Sequence, residues 1–408
     1  MPRFRLPEPL QRRLRRRSRH DGLVGVYLSD DGFSLGVMDG AGDTLIACIT
    51  EEYGDRQPAE ALAERVSELG LEEARTVIVL DDALYQLLHV EAPAVPAEEM
   101  AEALRWRLGA LIDYPSEEAV IAPLPQHSDR GTPGTVFALV ARRQRVDGLV
   151  QQVVNAGLEP EAVEVRETAL RNLTRRIPDE AGGTATVHFC RDDGVVLLTQ
   201  EDRLYLARRL EAGIGRLEAG DTMALDSVTL ELQRSLDYYE RQLATAPAAR
   251  ALIAPTPMDR GPLIDHINAN LNVPASALEL AHVVDIACEA DTDTLNRAAL
   301  AVGGALRDPE SADVSLHTDG HYRPEPSRTR VLAAWLLTWT VLVGVGGSGW
   351  LFWQTLATEN RLEAARAEEQ TLEERRESAI QRLEQRAADP ALEERLARAR
   401  SELAGQRR

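Results

Sequence analysis

Short apolar runs of strand length alternate with helical stripes across residues 22–307. The alternation stops at residues 331–353, where 23 positions pass without a charge. Residues 24–37 read as two strands around the turn Ser29-Asp30-Asp31-Gly32, since a polar cluster ending in glycine separates two β-branched runs. Residues 76–80 and 135–141 read as further strands. Residues 97–111 carry a helical stripe through Met100, Leu104, Leu108 and Leu111, and residues 145–156 a second helix ended by Gly157. A strand pair around a polar turn is expected over residues 184–199 and 203–208, and a long helix over 228–243. Strands and helices mixed in this way predict an α/β domain with more than one βαβ-like unit.

The run at 331–353, VLAAWLLTWTVLVGVGGSGWLFW, predicts a transmembrane helix. A bilayer core of roughly 30 Å needs about 20 apolar helical residues at 1.5 Å each. Trp350 and Trp353 fall where an interfacial aromatic belt would lie. Within the run, Gly344 to Gly349 fits GxGxxG. That pattern signals dinucleotide binding only between a strand and a helix of a βαβ unit, so the reading is refused. Thr340, Gly344 and Ser348 instead form a small-xxx-small series, which lets two membrane helices approach closely. The competing reading is glycine tolerated in a membrane helix.

The flanking segments set the expected layout. Residues 1–20 hold eight arginines and one acid, with no apolar stretch after them. They read either as a basic amphipathic segment on anionic lipid or as an extended basic arm. That start places the large domain, residues 21–307, in the cytoplasm, and the span in the inner membrane with the C-terminus periplasmic. Residues 308–330 hold three prolines and read as a linker. His317, Asp319 and His321 have no rigid element there to hold a metal. Residues 354–408 show a broken leucine stripe, interrupted at Asp389-Pro390, and predict a helical, coiled-coil tail able to dimerise the chain. The formal charge of −20, from 66 acidic and 46 basic residues, argues against nucleic-acid binding. Cys48, Cys190 and Cys288 are scattered and suggest neither a zinc site nor disulfides. The adjacent acids Asp81-Asp82, Glu98-Glu99 and Glu117-Glu118 read as solvated surface.

Several segments in one order carry a family resemblance. They are Gly25 to Ser29, then His89-Val-Glu-Ala-Pro-Ala-Val-Pro-Ala-Glu-Glu-Met100, Ala103 to Leu108 and Tyr114 to Glu118. They continue with Phe137 to Arg143, Ala156-Gly-Leu-Glu-Pro160, Glu164 to Leu170, Leu230 to Tyr239 and Ala301-Val-Gly-Gly-Ala-Leu-Arg307. In this order residues 22–307 resemble the PilM-type actin-like proteins of type IV pilus assembly. With a span and tail added, the layout resembles the MshI-type inner-membrane proteins of MSHA pili. It is also similar to GspL of type II secretion, although the segment after the span is too short here for that protein's further domain.

The resemblance implies a two-lobed, actin-like (ASKHA) domain with an ATP cleft. Each lobe of such a cleft offers a β-turn-β with an Asp for Mg²⁺ and a Gly for phosphate, and a Gly-Gly turn passes the adenosine. Tyr27 stands at the first Asp and Ser29 at its Gly. In the second hairpin His188 and Cys190 take those places. The Gly-Gly turn falls on Ala254-Pro255-Thr256-Pro257, so Pro255 and Thr256 stand where close approach needs no side chain. The expectation is a degenerate pseudo-ATPase without cofactor or metal, a scaffold whose partners are inner-membrane pilus proteins and the assembly ATPase. Asp30, Asp31, Asp192 and Asp193 lie near enough to keep a membrane-tethered ATP-binding protein open as the alternative, beside a GspL-like secretion component.

Overall fold

A computed structural model describes residues 22–96, 99–130, 134–178, 182–201, 203–308, 314–317, 370–382 and 390–405. The chain divides into two units between Arg323 and Pro324.

The first unit uses one strand pattern twice. β1 (Val24–Leu28), β2 (Gly32–Met38) and β3 (Thr44–Glu52) form an antiparallel meander, and β4 (Arg75–Leu80) returns parallel to β1 after the helix Pro58–Leu69. An antiparallel insertion follows, made of β5 (Tyr85–Glu91), β6 (Ala119–Leu124) and β7 (Thr135–Arg142) in the order β5-β7-β6, beside the helix Met100–Leu108. β8 (Glu159–Glu164) then re-enters the first sheet parallel to β4. The second lobe repeats the scheme. β9 (Gly183–Phe189), β10 (Gly194–Gln200) and β11 (Arg203–Leu210) form the meander, with β12 (Ala248–Ile253) and β13 (Ala275–Ala277) parallel beside β9. β14 (Asp285–Ile286) returns to the first sheet, giving the orders β14-β3-β2-β1-β4-β8 and β11-β10-β9-β12-β13.

The registers make the two hairpins equivalent. Leu28 pairs with Phe33 around residues 29–32, and Phe189 pairs with Gly194 around residues 190–193. Tyr27 and Ser29 in one lobe therefore correspond to His188 and Cys190 in the other.

One short helix, Ala299–Ala305, closes the first lobe by backbone-to-backbone packing. A Cβ on Gly25 would come within 1.7 Å of the Ala301 carbonyl oxygen, and one on Gly303 within 2.4 Å of the Ala169 carbonyl oxygen. Glycine is therefore required at Gly25 where the strand meets this helix, and at Gly303 where the helix meets Ala169. The contact seats the helix Arg166–Thr174, all of whose residues are buried although its sequence, RETALRNLT, reads as a surface helix. The helix supports itself with polar bonds. Asn172 Nδ2 donates to Glu164 Oε2 and to the Gly303 carbonyl, both at 3.0 Å, and Arg307 Nη1 meets Glu164 Oε1 at 2.5 Å.

Several details depart from the pattern expectations. The helix predicted over residues 97–111 ends at Leu108, so Leu111 is 56% exposed and Ile112 takes the core position. The long helix predicted over 228–243 is the α-helix Thr222–Tyr238, continued by a wider π-type turn over Tyr239–Leu243. The segment expected to be linker does not all hang free. Leu316 is 1% exposed, its N–H donates to the Val163 carbonyl at 2.9 Å, and Ser315 Oγ accepts from Val163 N at 3.0 Å. Residues 314–317 thus cover the outer edge of β8, whose backbone groups need partners.

In the second unit residues 370–382 are helical, and a helix runs Pro390–Gly405 with proline at its start, where a missing N–H costs nothing. Leu372, Ile380 and Leu396 are exposed on these helices. Among the described residues no helix is long and apolar enough to cross a membrane. The predicted span at 331–353, with Thr340, Gly344 and Ser348, lies outside the described residues, as do the basic arm, Asp319 and His321.

Replacing Leu316 by Ala is expected to cost about 2–4 kcal/mol, because it empties a packed site under β8. Gly303→Ala is expected to cost roughly 3 kcal/mol, because backbone on both sides must move. Equilibrium urea unfolding of the full chain measures both.

Candidate functional site

The ends of β1, β4, β9 and β12 meet at a cleft of about 910 Å³ between the two lobes. Tyr27, Ser29, His188, Cys190 and Pro257 line it, so the hairpin positions singled out in the sequence come together. Pro255 and Thr256 lie behind its wall. Thr256 is buried and donates to the Phe189 carbonyl at 3.3 Å. The acids Asp30, Asp31, Asp192 and Asp193 line the cleft as well. Asp81 and Asp82, read from sequence as surface, also face inward, because they follow β4 where its strand runs into the cleft mouth.

Tyr27 and Ser29, at the expected ligand positions of the first lobe, are already engaged by protein. Tyr27 Oη donates to Asp81 Oδ2 at 2.7 Å, and burial, with Asp81 beside it, raises its phenol well above the usual range. Ser29 Oγ donates to Asp31 Oδ1 at 2.7 Å within its own turn. His188 is 6% exposed, and among the described residues its Nδ1 has no hydrogen-bond partner. Burial, reinforced by the nearby Arg166 charge, pushes His188 down to about 3, so the imidazole is neutral at ordinary pH.

Behind the cleft wall, lining an adjoining cavity with Asp82, Asp193 and Arg209, lies a residue that sequence reasoning passed over. Arg166, first in the helix Arg166–Thr174, has a side chain only 5% exposed. Its Nη1 lies 2.9 Å from Asp193 Oδ1, 3.2 Å from Cys190 Sγ and 3.8 Å from Asp82 Oδ2. Its Nη2 lies 3.6 Å from Glu167 Oε1, and Tyr85 Oη donates to Glu167 Oε2 at 2.5 Å. Arg209 adds a second cation, with Nε 2.6 Å from Asp193 Oδ2. Burial pushes Asp82 up to about 6 although Arg166 opposes it, and Asp193 and Asp81 add to the rise. Burial likewise pushes the Cys190 thiol up to about 12. No local signal marks Arg166, since its neighbours Glu164, Glu167 and Arg171 give the charge pattern of a solvated helix.

These residues do not fit Mg-ATP. Mg²⁺ takes carboxylates, phosphate oxygens and waters in octahedral array. Here the carboxylates that converge from both lobes converge on a guanidinium. Nine carboxylates line the cleft against the arginines Arg191, Arg209 and Arg297, which repels a polyphosphate. At the expected adenosine turn Pro257 presents a side chain to the cleft, where backbone approach is needed.

No protein-family model matches the chain, and no curated protein matches it in sequence. Solved structures do match the first unit. A chain of the PilM-PilN type IV pilus biogenesis complex is 20% identical, with a TM-score of 0.53, covering 70% of this chain and 98% of that one. The cytoplasmic domain of EpsL, an inner-membrane component of the type II secretion system of Vibrio cholerae, is 13% identical over 68% of this chain and 93% of that one, at a TM-score of 0.41. A Bacteroides thetaiotaomicron protein with an actin-like ATPase fold and unknown function is 12% identical over 70% and 97%, at 0.42. With the duplicated strand order, the likeness to the first of these gives the first unit the actin-like ATPase fold of the PilM type.

His188 carries a pH signature. Its folded value of about 3 lies below the unfolded 6.5, so its contribution is full above pH 6.5 and is lost as pH falls toward 3. His188→Leu is expected to remove that loss, gaining on the order of 2 kcal/mol relative to the parent at pH 5. Urea unfolding at pH 7.5 and pH 5 reads the difference.

Proposed function

We propose that the chain is a bitopic inner-membrane scaffold of type IV pilus biogenesis, of the MSHA type, and that its actin-like domain is a pseudo-ATPase. The cytoplasmic domain docks assembly components, including the assembly ATPase. The apolar run at 331–353 anchors it, and the helical tail pairs chains and reaches periplasmic partners. The observation that carries this reading is the cleft, where Arg166 stands among the carboxylates of both lobes and proline stands at the expected adenosine turn. A domain that keeps the two-lobed frame without the chemistry is suited to presenting surfaces. The PilM-PilN complex, which contains a chain of the same fold, supports an assembly role with a second protein. The uncharged run of 23 residues supports the anchor.

The chain titrated with Mg-ATP is expected to show neither saturable binding nor turnover above a blank, by calorimetry and phosphate release. Micromolar binding or steady turnover contradicts the pseudo-ATPase reading. A phosphatase reporter fused after Arg408 is expected to be active in the periplasm, and activity only in the cytoplasm overturns the orientation. Deleting the chain is expected to abolish surface pili and leave secretion intact. The reverse outcome assigns it to a secretion system.

A further inference from the structure

The disagreement between this cleft and Mg-ATP has a definite chemical form. Asp82 follows β4 in the first lobe, while Cys190 and Asp193 belong to the β9–β10 turn of the second. The ligand atoms of these three residues all lie within 4.8 Å of one another, a spacing that could hold a metal ion. The space among them is taken by Arg166 Nη1, within 3.8 Å of each of the three. Arg166 starts from the first lobe, at the end of β8, and its closest carboxylate is in the second.

We propose that Arg166 is a built-in cation: its guanidinium replaces a divalent ion between Asp82 and Asp193 and ties the two lobes together without metal or nucleotide. The inference rests on the reading of the cleft as non-catalytic and says what fills it instead. Three features support it. The guanidinium cannot dissociate or be chelated away, and it keeps its proton at any working pH. It is fixed from the rear, since Glu167 faces Nη2 and is itself held by Tyr85, so swinging clear to admit an ion would leave the buried Glu167 charge without its cation. The Cys190 sulfur lies 3.2 Å from Nη1, so the third of the three ligand atoms is also in contact with the guanidinium.

Arg166→Gln in the full chain tests this, with Mn²⁺ as the probe and no nucleotide present. Failure of the proposal is thereby separate from any result on ATP or pilus assembly. Three measurements are made on parent and variant: bound Mn²⁺ by electron paramagnetic resonance, melting temperature with Mn²⁺ or with EDTA, and the near-ultraviolet band of Cd²⁺-thiolate. The parent is expected to bind no Mn²⁺ at this site and to melt at one temperature under all conditions. Arg166→Gln is expected to melt roughly 5–10 °C lower in EDTA, to recover most of that loss in Mn²⁺, and to hold a single Mn²⁺. Its Cd²⁺ band is expected to vanish in Arg166→Gln/Cys190→Ser. The paired variant Arg166→Gln/Asp193→Asn removes both charges and is expected to fold and to ignore metal, and Arg166→Lys to remain indifferent to metal. Stoichiometric Mn²⁺ on the parent that Asp193→Asn abolishes would falsify the proposal. So would a folded Arg166→Gln that takes up no Mn²⁺ and gains no stability from it. If Arg166→Gln does not fold in EDTA, its recovery on Mn²⁺ addition decides: recovery supports the built-in cation, and a chain still unfolded while the paired variant folds overturns the metal-equivalence.

Discussion

The backbone contact between Gly25 on β1 and the helix Ala299–Ala305 leaves no room for a side chain. Everything that aims the cleft follows from it. The same short helix lies against Ala169 through Gly303, and so fixes where the helix Arg166–Thr174 starts. The start of that helix fixes Arg166. Asn172, bonded to both Glu164 and the Gly303 carbonyl, keeps the two helices and β8 in register. A buried polar network of this kind is costly if any member is unpaired, and specific when each is satisfied. The glycines and the charged helix therefore work as one device, in which close approach of backbones brings polar side chains into reach of one another.

The duplicated strand order explains what became of the cleft. The same turn occurs once in each lobe, and both hairpins carry other side chains at the positions where the resemblance implies carboxylate and glycine. In the first lobe Tyr27 leans on Asp81, and in the second His188 is buried neutral. Gly32 of the first turn is matched by Asp193 in the second, and that one carboxylate gives Arg166 its nearest partner. Desolvation penalises the charges on Asp82, Cys190 and His188, while the guanidinium is the group among them that stays charged. An internal ion-pair network joins side chains of the two lobes beside the cleft.

The lobe-closing contacts also reach the chain's exit from the domain. Arg307, paired with Glu164, donates to the Val314 carbonyl, and Leu316 is packed beneath the edge of β8. Residues 314–317 are thus held at a fixed point on the first sheet. Proline and polar composition marked residues 308–330 as lacking periodicity, and that reading holds no information about a single buried leucine or a single edge strand in need of partners.

Much of the α/β framework was legible, because alternation and helical stripes report burial directly: β1, β2, β4, β7 and the helix Arg143–Asn155 stand where the pattern placed them. Tyr27, Ser29, His188 and Cys190 were legible as hairpin positions because a turn between two strands is a local signal, and register then brought them into one cleft. Leu111 was misplaced because a stripe says nothing of where the helix stops. The pair Asp81-Asp82 was misread, and the burial of the helix RETALRNLT went unread, for a related reason. Charge has no periodic signature of burial, and only a partner distant in sequence, such as Asp193 for Arg166, turns a charged residue inward. The sequence by itself determined the strands, the turns and the long uncharged run, since these depend on neighbours along the chain. The tertiary structure alone decided which charges meet, because an ion pair 27 residues apart forms only when two lobes close on each other.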